Sequence, residues 1–203
     1  MQHDLIETQP LGLLVSAGSA GLVANHLPFL LYRTEGPLGT LRCHLSKANE
    51  QWRELFASDD CLVAFQGPQA YISPNWYPSK RESGKVVPTW NYATVHAWGR
   101  PEVKEDPGWL HRHVSDLTDT NEGRLPAPWR VDDAPEPFVA SQLKGIVGVQ
   151  IAITRLEGKW KMSQNRSVPD RAGVAEALRR PGNGHNEVAD LVERLGAGTD
   201  AEG

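Results

Sequence analysis

The stretch from Leu62 to Gly99 constrains the fold of this chain most, because two strand patterns flank a connection dense in Pro, Trp, Tyr and Asn. The run Cys61–Phe65 is continuously apolar, which is typical of a strand buried on both faces. From Tyr92 onward, small apolar side chains alternate with larger or polar ones, with the period of two that a strand requires. Two interpretations of the connection stay open: the wall of a pocket or interface, or a hydrophobic cluster beneath a long hairpin.

Further strand and helix patterns lie on both sides of this stretch. The apolar runs Leu11–Val15 and Leu22–Leu31 predict a hairpin across Gly18–Gly21, and the alternating run Thr40–Leu45 predicts a half-polar strand. The alternating run Val147–Ile153 predicts a late strand that turns back at Glu157-Gly158. Helices are predicted after Asn49, from Asp106-Pro107, from Asp170 to Arg180 and over Val188–Leu195. Because no regular strand–helix alternation occurs, the pattern predicts a mainly β protein with peripheral helices (α+β), as a small antiparallel barrel.

Bulk properties exclude several classes of protein. The 203 residues carry a net charge of −4, which argues against indiscriminate nucleic-acid binding but leaves room for a local basic patch. No window approaches the roughly 20 apolar residues of a membrane span, and the N-terminus lacks a signal-peptide pattern. The two cysteines, Cys43 and Cys61, provide neither a disulfide framework nor metal-site spacing. We therefore expect a cytoplasmic protein with no membrane partner.

The segment His44–Asn49 is the first candidate site. His44, Ser46, Lys47 and Asn49 place an imidazole, a hydroxyl, an ammonium and a carboxamide where a strand passes into a helix. Free backbone N–H groups at a helix start favour an anion, above all a phosphate. The alternative is that Ser46 and Asn49 only cap the helix while Lys47 is solvated. The segment is not a Walker loop.

Three other segments are candidates, each with a structural alternative. The polar side chains of Asn25-His26-Leu27-Pro28 need hydrogen-bond partners, which a heterocycle or a strand end would supply. Thr89-Trp90-Asn91-Tyr92 offers a flat π surface and an amide to a planar ligand, or packs in the core. Lys159–Arg166 interleaves basic and aromatic residues, which suits phosphate, nucleic acid or a solvated edge strand. Neither a metal site nor a catalytic residue is assigned, because no histidine spacing or nucleophile elbow supports one.

Taken together, these segments resemble the PaiB-type FMN-binding proteins, which are called negative transcriptional regulators. The matching motifs occur in family order between about Leu5 and Leu178 and are jointly specific; they are Asn25-His26-Leu27-Pro28-Phe29-Leu30, His44-Leu45-Ser46-Lys47-Ala48-Asn49, Gly67-Pro68, Ala70-Tyr71-Ile72-Ser73-Pro74, Trp76-Tyr77, Val87-Pro88-Thr89-Trp90-Asn91-Tyr92, Leu156-Glu157-Gly158-Lys159-Trp160-Lys161 and Ser163-Gln164-Asn165-Arg166. Glu50 stands where family members usually have Pro, and its carboxylate is expected to weaken an adjacent phosphate site by ~1 kcal/mol or less.

The resemblance implies an FMN-binding split β-barrel related to the pyridoxamine-phosphate oxidases, with FMN at the interface of a homodimer. We expect the barrel over residues 1–168 and a C-terminal helical extension and tail over 169–203. The phosphate would meet the His44 segment and Arg166, the isoalloxazine would lie along the Asn25 segment, and the Thr89 segment would close the pocket from the partner subunit. The cofactor-binding residues implied are Asn25, His26, Leu27, Pro28, His44, Ser46, Lys47, Asn49, Thr89, Trp90, Asn91, Gln164 and Arg166.

Three functions beyond flavin binding remain open. The resemblance favours a transcriptional regulator, a repressor whose flavin state alters binding to DNA or to a protein partner. A flavin-dependent oxidoreductase acting on a small substrate is the second, and a haem-binding or haem-degrading relative is the third. No helix-turn-helix stands out, so direct DNA binding depends on the family association alone.

Overall fold

The structure is a computed structural model that describes residues 1–18 and 21–199. For residues 198 and 199 it describes the backbone only. Neighbouring strands follow the order β2-β1-β5-β6-β7-β4-β3, and the pairs with a resolved register are antiparallel. Within the described residues the helices are α1 Gln2–Thr8, α2 Gln51–Phe56, α3 Lys80–Ser83, α4 Pro107–Glu122, α5 Glu136–Leu143, α6 Val168–Arg179 and α7 Asn186–Thr199, and the strands are β1 Leu11–Gly18, β2 Gly21–Pro28, β3 Leu30–Tyr32, β4 Thr40–Ser46, β5 Cys61–Ile72, β6 Thr89–Lys104 and β7 Ile146–Lys161.

The chain divides into two compact units. The first unit comprises Met1–Phe65 with Val95–Glu157, and the second comprises Gln66–Thr94 with Gly158–Gly203. The predicted division into 1–168 and 169–203 stays a prediction, and residues 200–203 of the predicted tail lie outside the described part of the chain. Among the helices that the structure describes, none combines the length and apolar character needed to cross a membrane.

In the first unit, β1 and β2 form a hairpin, and α4 packs against β7. β1 and β2 pair from Leu11↔Pro28 to Gly18↔Gly21, which confirms the predicted hairpin; Ser19 and Ala20 of its predicted turn lie outside the described residues. Asp106 begins α4 as predicted, because its carboxylate accepts a hydrogen bond from the Trp109 N–H at 2.7 Å. A Cβ at Gly148 of β7 would come within 2.1 Å of the Trp109 indole, so only glycine permits this packing.

The second unit is organised around α6 and α7. The Asp170 carboxylate on α6 is nearly buried and accepts hydrogen bonds from the Ser79 N–H at 3.0 Å and the Ser79 hydroxyl at 2.7 Å. The predicted amphipathic face of α7 is confirmed, since Val188 and Val192 are buried. The α6 helix therefore has two anchors, one on the α3 side of the unit and one on α7.

Three local predictions differ from the structure. β7 runs without a turn through Glu157-Gly158 to Lys161, because pairing with neighbouring strands outweighs the local turn preference. Ser167 rather than Asp170 caps α6, since its hydroxyl accepts from the Asp170 N–H. Cys61–Phe65 alternates buried with half-buried residues instead of being buried on both faces.

Candidate functional site

The β4 corner, residues 44–49, ends β4 and leads to α2 in the first unit. β4 pairs with the start of β7 as far as Ser46↔Ile146, and the Lys47 N–H then donates to the Gly145 carbonyl at 2.8 Å. The Ser46 side chain is exposed, with its hydroxyl accepting from the Ala48 N–H at 3.2 Å. The Lys47 ammonium lies 3.2 Å from the Glu105 carboxylate, and 41% of the Lys47 side chain is exposed. The corner therefore presents a hydroxyl and a cation to solvent, a pair that suits a phosphate.

Gln51 on α2 connects this corner to the hairpin. Its side chain is 1% exposed, and its amide nitrogen donates to Ser16 Oγ at 3.1 Å and to the Leu14 and Val23 carbonyls. Its amide oxygen accepts from Asn25 Nδ2 at 2.9 Å. Its backbone N–H donates to Asn49 Oδ1 at 3.0 Å. Glu50 occupies the N-cap position of α2, but the side chain that accepts this bond is that of Asn49, one residue earlier.

Gln51 was not among the predicted site residues, although its spacing contained a signal. Gln51 lies four residues before the buried Leu55, so a polar side chain occupies the apolar face of a short helix. A buried amide in that place needs several partners. The bonds to Asn25 and Asn49 show that two of the predicted site residues meet at Gln51.

His44 takes part in an aromatic cluster with α4, in which His113 is buried and His44 and Trp109 are half-buried. His44 Nδ1 lies 3.1 Å from His113 Nε2, and the Trp109 indole stacks on the His113 ring with centroids 5.3 Å apart. Burial lowers the pKa of His44, and burial together with the neighbouring His44 ring lowers the pKa of His113 to about 4. Both rings are therefore neutral at physiological pH and share one hydrogen bond.

The other members of the Asn25 segment differ in exposure. His26 and Pro28 are exposed, whereas Leu27 is 9% exposed and belongs to the core. This alternation follows from the strand, which directs successive side chains to opposite faces. His26 and Pro28 are the members of the segment that a ligand reaches without moving the core.

The β7 turn, Ser163–Arg166, follows β7 in the second unit and holds two predicted residues. Ser163 is buried and adopts a left-handed backbone, with φ at 61°. Its hydroxyl donates to Asn91 Oδ1 at 3.1 Å, and Asn91 is fully buried. Gln164 accepts from the Met162 N–H at 2.7 Å and donates to the Trp160 carbonyl at 2.6 Å, so its amide closes the turn.

The remaining predicted residues of the second unit are more accessible. Trp90 is 52% exposed and meets Tyr71, which is 47% exposed, edge to face. The Thr89 hydroxyl accepts from Lys161 Nζ at 2.5 Å. The Arg166 guanidinium lies over the Tyr77 ring, 4.7 Å from its centroid.

The predicted site residues thus form one group in each unit. The first unit contains the Asn25 segment and the β4 corner, and the second contains Thr89, Trp90 and Asn91 together with Gln164 and Arg166. Within the first unit, Gln51 joins Asn25 to Asn49. Within the second, Ser163 joins Asn91 to the turn that contains Gln164 and Arg166.

Comparison with known proteins identifies the family. Residues 1–155 match the family described as "Putative FMN-binding domain". The chain belongs to this family. The match to the FMN-binding family covers more than two thirds of the sequence, and FMN is the cofactor of this chain. The resemblance drawn from the motifs is confirmed.

Relatives and solved structures agree with this assignment. The chain is 33% identical to "Protease synthase and sporulation protein PAI 2" of Bacillus subtilis, over 94% of this chain and 89% of that protein. It is 35% identical to an uncharacterised protein of Aspergillus fumigatus, over 89% of this chain and 86% of that protein. The FAD and heme binding protein of Mycobacterium smegmatis shares the fold, with a TM-score of 0.56, 19% identity, and coverage of 78% of this chain and 68% of that one.

A second solved structure shows the same fold. The flavocytochrome Anf3 of Azotobacter vinelandii has a TM-score of 0.54 and 13% identity; the match covers 78% of this chain and 65% of that protein, slightly under two thirds of its length. The predicted fold class, an α+β flavin-binding split barrel of the pyridoxamine-phosphate-oxidase type, is confirmed.

The residues present fit FMN by their chemistry. FMN carries a phosphate and a planar tricyclic ring. The β4 corner supplies an exposed hydroxyl and a partly exposed ammonium, which can donate hydrogen bonds to a phosphate. In the second unit, Trp90 exposes an indole, and the buried Asn91 amide nitrogen has no hydrogen-bond partner among the described residues.

Proposed function

We propose that this chain is a homodimeric FMN-binding transcriptional regulator of the PaiB type. The observation that best supports FMN binding at this site is the solvent-accessible Ser46–Lys47 pair at the β4 corner, in a chain that belongs to an FMN-binding family. Bound FMN supplies reversible one- and two-electron redox chemistry, while the protein binds and orients it.

The predicted site residues take different roles in this proposal. Ser46 and Lys47 bind the phosphate, and Arg166 of the partner subunit adds a second cation. The strand segment from Asn25 to Pro28 lines the isoalloxazine edge, with His26 and Pro28 as its accessible members. Asn49 and His44 orient the corner through Gln51 and His113.

The residues of the second unit close the pocket from the partner subunit in the same proposal. Trp90 provides the flat surface and Thr89 a hydroxyl, while the fully buried Asn91 supports the β7 turn through its bond to Ser163. Gln164 acts on the shape of the β7 turn, because both ends of its amide already bond to backbone.

Support for the homodimer comes from the exposed aromatic surface of the second unit. Trp90, Tyr71 and Val87 expose between 47% and 63% of their surface. Clusters of large exposed apolar side chains are typical of interaction surfaces. We therefore infer that a second copy of the chain covers Trp90 and Tyr71.

Support for the regulatory role comes from similarity and from charge. The similarity to the Bacillus subtilis PAI 2 protein extends over nearly the whole length of both chains. Residues 66–94 and 158–168 contain six Lys or Arg and one Glu, although the whole chain has a net charge of −4. Such a local excess of positive charge suits contact with nucleic acid phosphates.

The flavin part is tested by titrating the purified protein with FMN and with riboflavin, which lacks the phosphate. Lys47→Ala should raise the Kd for FMN about tenfold or more, because a charged hydrogen bond is lost, and should leave the Kd for riboflavin unchanged. Lys104→Ala is the matched control, since Lys104 is another strand-end lysine paired with a glutamate. Equal effects of the two variants would contradict the phosphate assignment.

The dimer is tested by sedimentation of Trp90→Glu against Phe138→Glu. Phe138 is 56% exposed in the first unit and provides a control of similar exposure. Trp90→Glu should yield monomers at micromolar protein concentrations, and Phe138→Glu should not. Dimers that persist in Trp90→Glu would exclude this surface as the interface.

The regulatory role is tested by retention of fragmented genomic DNA from the source organism on FMN-loaded and flavin-free protein. A regulator should enrich a small set of promoter fragments in one flavin state, with retention that falls as salt rises. No enrichment in either state would contradict the regulatory role. Rapid bleaching of bound flavin by NAD(P)H would favour the oxidoreductase instead.

A further inference from the structure

The ion pair at the β4 corner joins Lys47 to a carboxylate that no sequence motif indicated. Glu105 Oε1 lies 3.2 Å from Lys47 Nζ, and the Glu105 side chain is 57% exposed. The next residue, Asp106, uses its own carboxylate to cap α4. Of the two acidic residues between β6 and α4, Glu105 is therefore the one that pairs with Lys47.

Both partners are attached to well-anchored backbone. Glu105 lies between the end of β6 at Lys104 and the start of α4 at Pro107. α4 is held in place by Trp109, which packs against Gly148. Lys47 is held through its N–H, which donates to the Gly145 carbonyl. A phosphate that reaches Lys47 therefore meets a carboxylate whose backbone cannot move far away.

We propose that Glu105 is an internal competitor of the flavin phosphate for the Lys47 ammonium. This inference rests on the proposed role of Lys47 in binding FMN. Without flavin, Glu105 holds the ammonium; when FMN binds, Lys47 exchanges the carboxylate for the phosphate, and the two anions remain within a few ångströms of each other. Glu105 thus limits the affinity for FMN and leaves the affinity for riboflavin untouched.

The expected size of the effect is moderate because both side chains are partly exposed. A solvent-exposed ion pair is weak, and the repulsion between a carboxylate and a nearby phosphate is reduced by the high effective dielectric constant at a surface. Removing the charge of Glu105 is expected to lower the Kd for FMN by about three- to tenfold.

The experiment compares FMN and riboflavin titrations of the full chain and of Glu105→Gln, followed by quenching of flavin fluorescence. Glu105→Gln should bind FMN about three- to tenfold more tightly and riboflavin with unchanged affinity. Glu102→Gln is the matched control, because Glu102 is an exposed carboxylate close by in sequence that pairs with Lys104 at 2.7 Å. An unchanged or raised Kd for FMN in Glu105→Gln overturns the inference; a raised Kd would show that Glu105 positions Lys47 for the phosphate.

A double-variant cycle separates this inference from the proposed function. In the Lys47→Ala background, Glu105→Gln should improve FMN binding by less than it does in the native chain, since the lysine it releases is absent. If Lys47→Ala weakens FMN binding while Glu105→Gln changes nothing, only this inference fails. If Lys47→Ala has no effect on FMN, the phosphate assignment fails first.

Discussion

The β4 corner and the β7 turn carry similar polar residues but use them differently. At the β4 corner, the Ser46 side chain is exposed and the Lys47 ammonium pairs with a partly exposed carboxylate. In the β7 turn, Ser163 is buried against Asn91, and the Gln164 amide bonds to backbone at both ends. The first region leaves Ser46 and Lys47 accessible to solvent, while Ser163 and Gln164 of the second hold the conformation of their own turn.

The same contrast exists inside the β4 corner. Asn49 and His44 bond to Gln51 and His113, whereas Ser46 and Lys47 reach solvent. A polar motif therefore contains both solvent-facing and structural residues, and the presence of a nearby backbone or buried partner decides between them. Substitutions in the two regions test that distinction.

Gln51→Leu should cause the largest loss of stability. Leucine has a similar volume, but it removes the donors to the Leu14 and Val23 carbonyls and to Ser16 and leaves these buried groups without that partner. We expect the free energy of unfolding to fall by about 3 kcal/mol, measured by urea denaturation. Gln142→Leu, at an exposed position, should change it by less than about 0.5 kcal/mol. Similar losses in both variants would remove Gln51 from the centre of this network.

The buried His113, paired with His44, should make stability depend on pH. The pKa of His113 is about 4 in the folded chain and about 6.5 in the unfolded chain, because burial, His44 and Arg42 lower it more than Asp116 raises it. Between these values the unfolded chain binds a proton that the folded chain does not. Stability is therefore complete above pH 6.5 and falls as the pH drops toward 4, by about 2 kcal/mol at pH 5.

This pH dependence is measured by urea denaturation at pH 5 and pH 8. His113→Gln should reduce the difference between the two, because glutamine does not titrate and still bonds to a neutral His44. The exposed His26 provides the control, and His26→Gln should leave the difference unchanged. A pH dependence that survives His113→Gln would assign the effect to other groups.

The sequence predicted the fold class because it follows from local pattern, while the assignment of the cofactor-binding residues stays a prediction. Alternation gave the hairpin and the strands, and Asp106-Pro107 gave the start of α4. Gln51, His113 and Glu105 were missed, because each acts through a partner distant in sequence. The turn predicted at Glu157-Gly158 was wrong for the same reason: β7 is held by neighbouring strands, which local propensity does not record.

Ser46→Ala and Gln164→Ala should have opposite consequences for binding and stability. Ser46→Ala should raise the Kd for FMN about fivefold through the loss of one hydrogen bond and leave the free energy of unfolding within about 0.5 kcal/mol. Gln164→Ala should lower that free energy by about 1.5 kcal/mol, because the Met162 N–H and the Trp160 carbonyl lose their partner. Its Kd for FMN, measured where the variant is fully folded, should change less than twofold. The reverse pattern would interchange the roles of the two regions.

Substitutions of Ser163 should invert the usual order of alanine and glycine. Ser163 adopts a φ of 61°, which disfavours any residue with a Cβ by about 1 kcal/mol, and its hydroxyl bonds to the buried Asn91. Ser163→Ala keeps the strain and loses the bond, so we expect a loss of about 1 kcal/mol in the free energy of unfolding. Ser163→Gly loses the same bond but relieves the strain, so the two changes should nearly cancel. Urea denaturation of both variants decides the matter: a glycine variant less stable than the alanine variant would mean that the left-handed backbone at Ser163 is not strained.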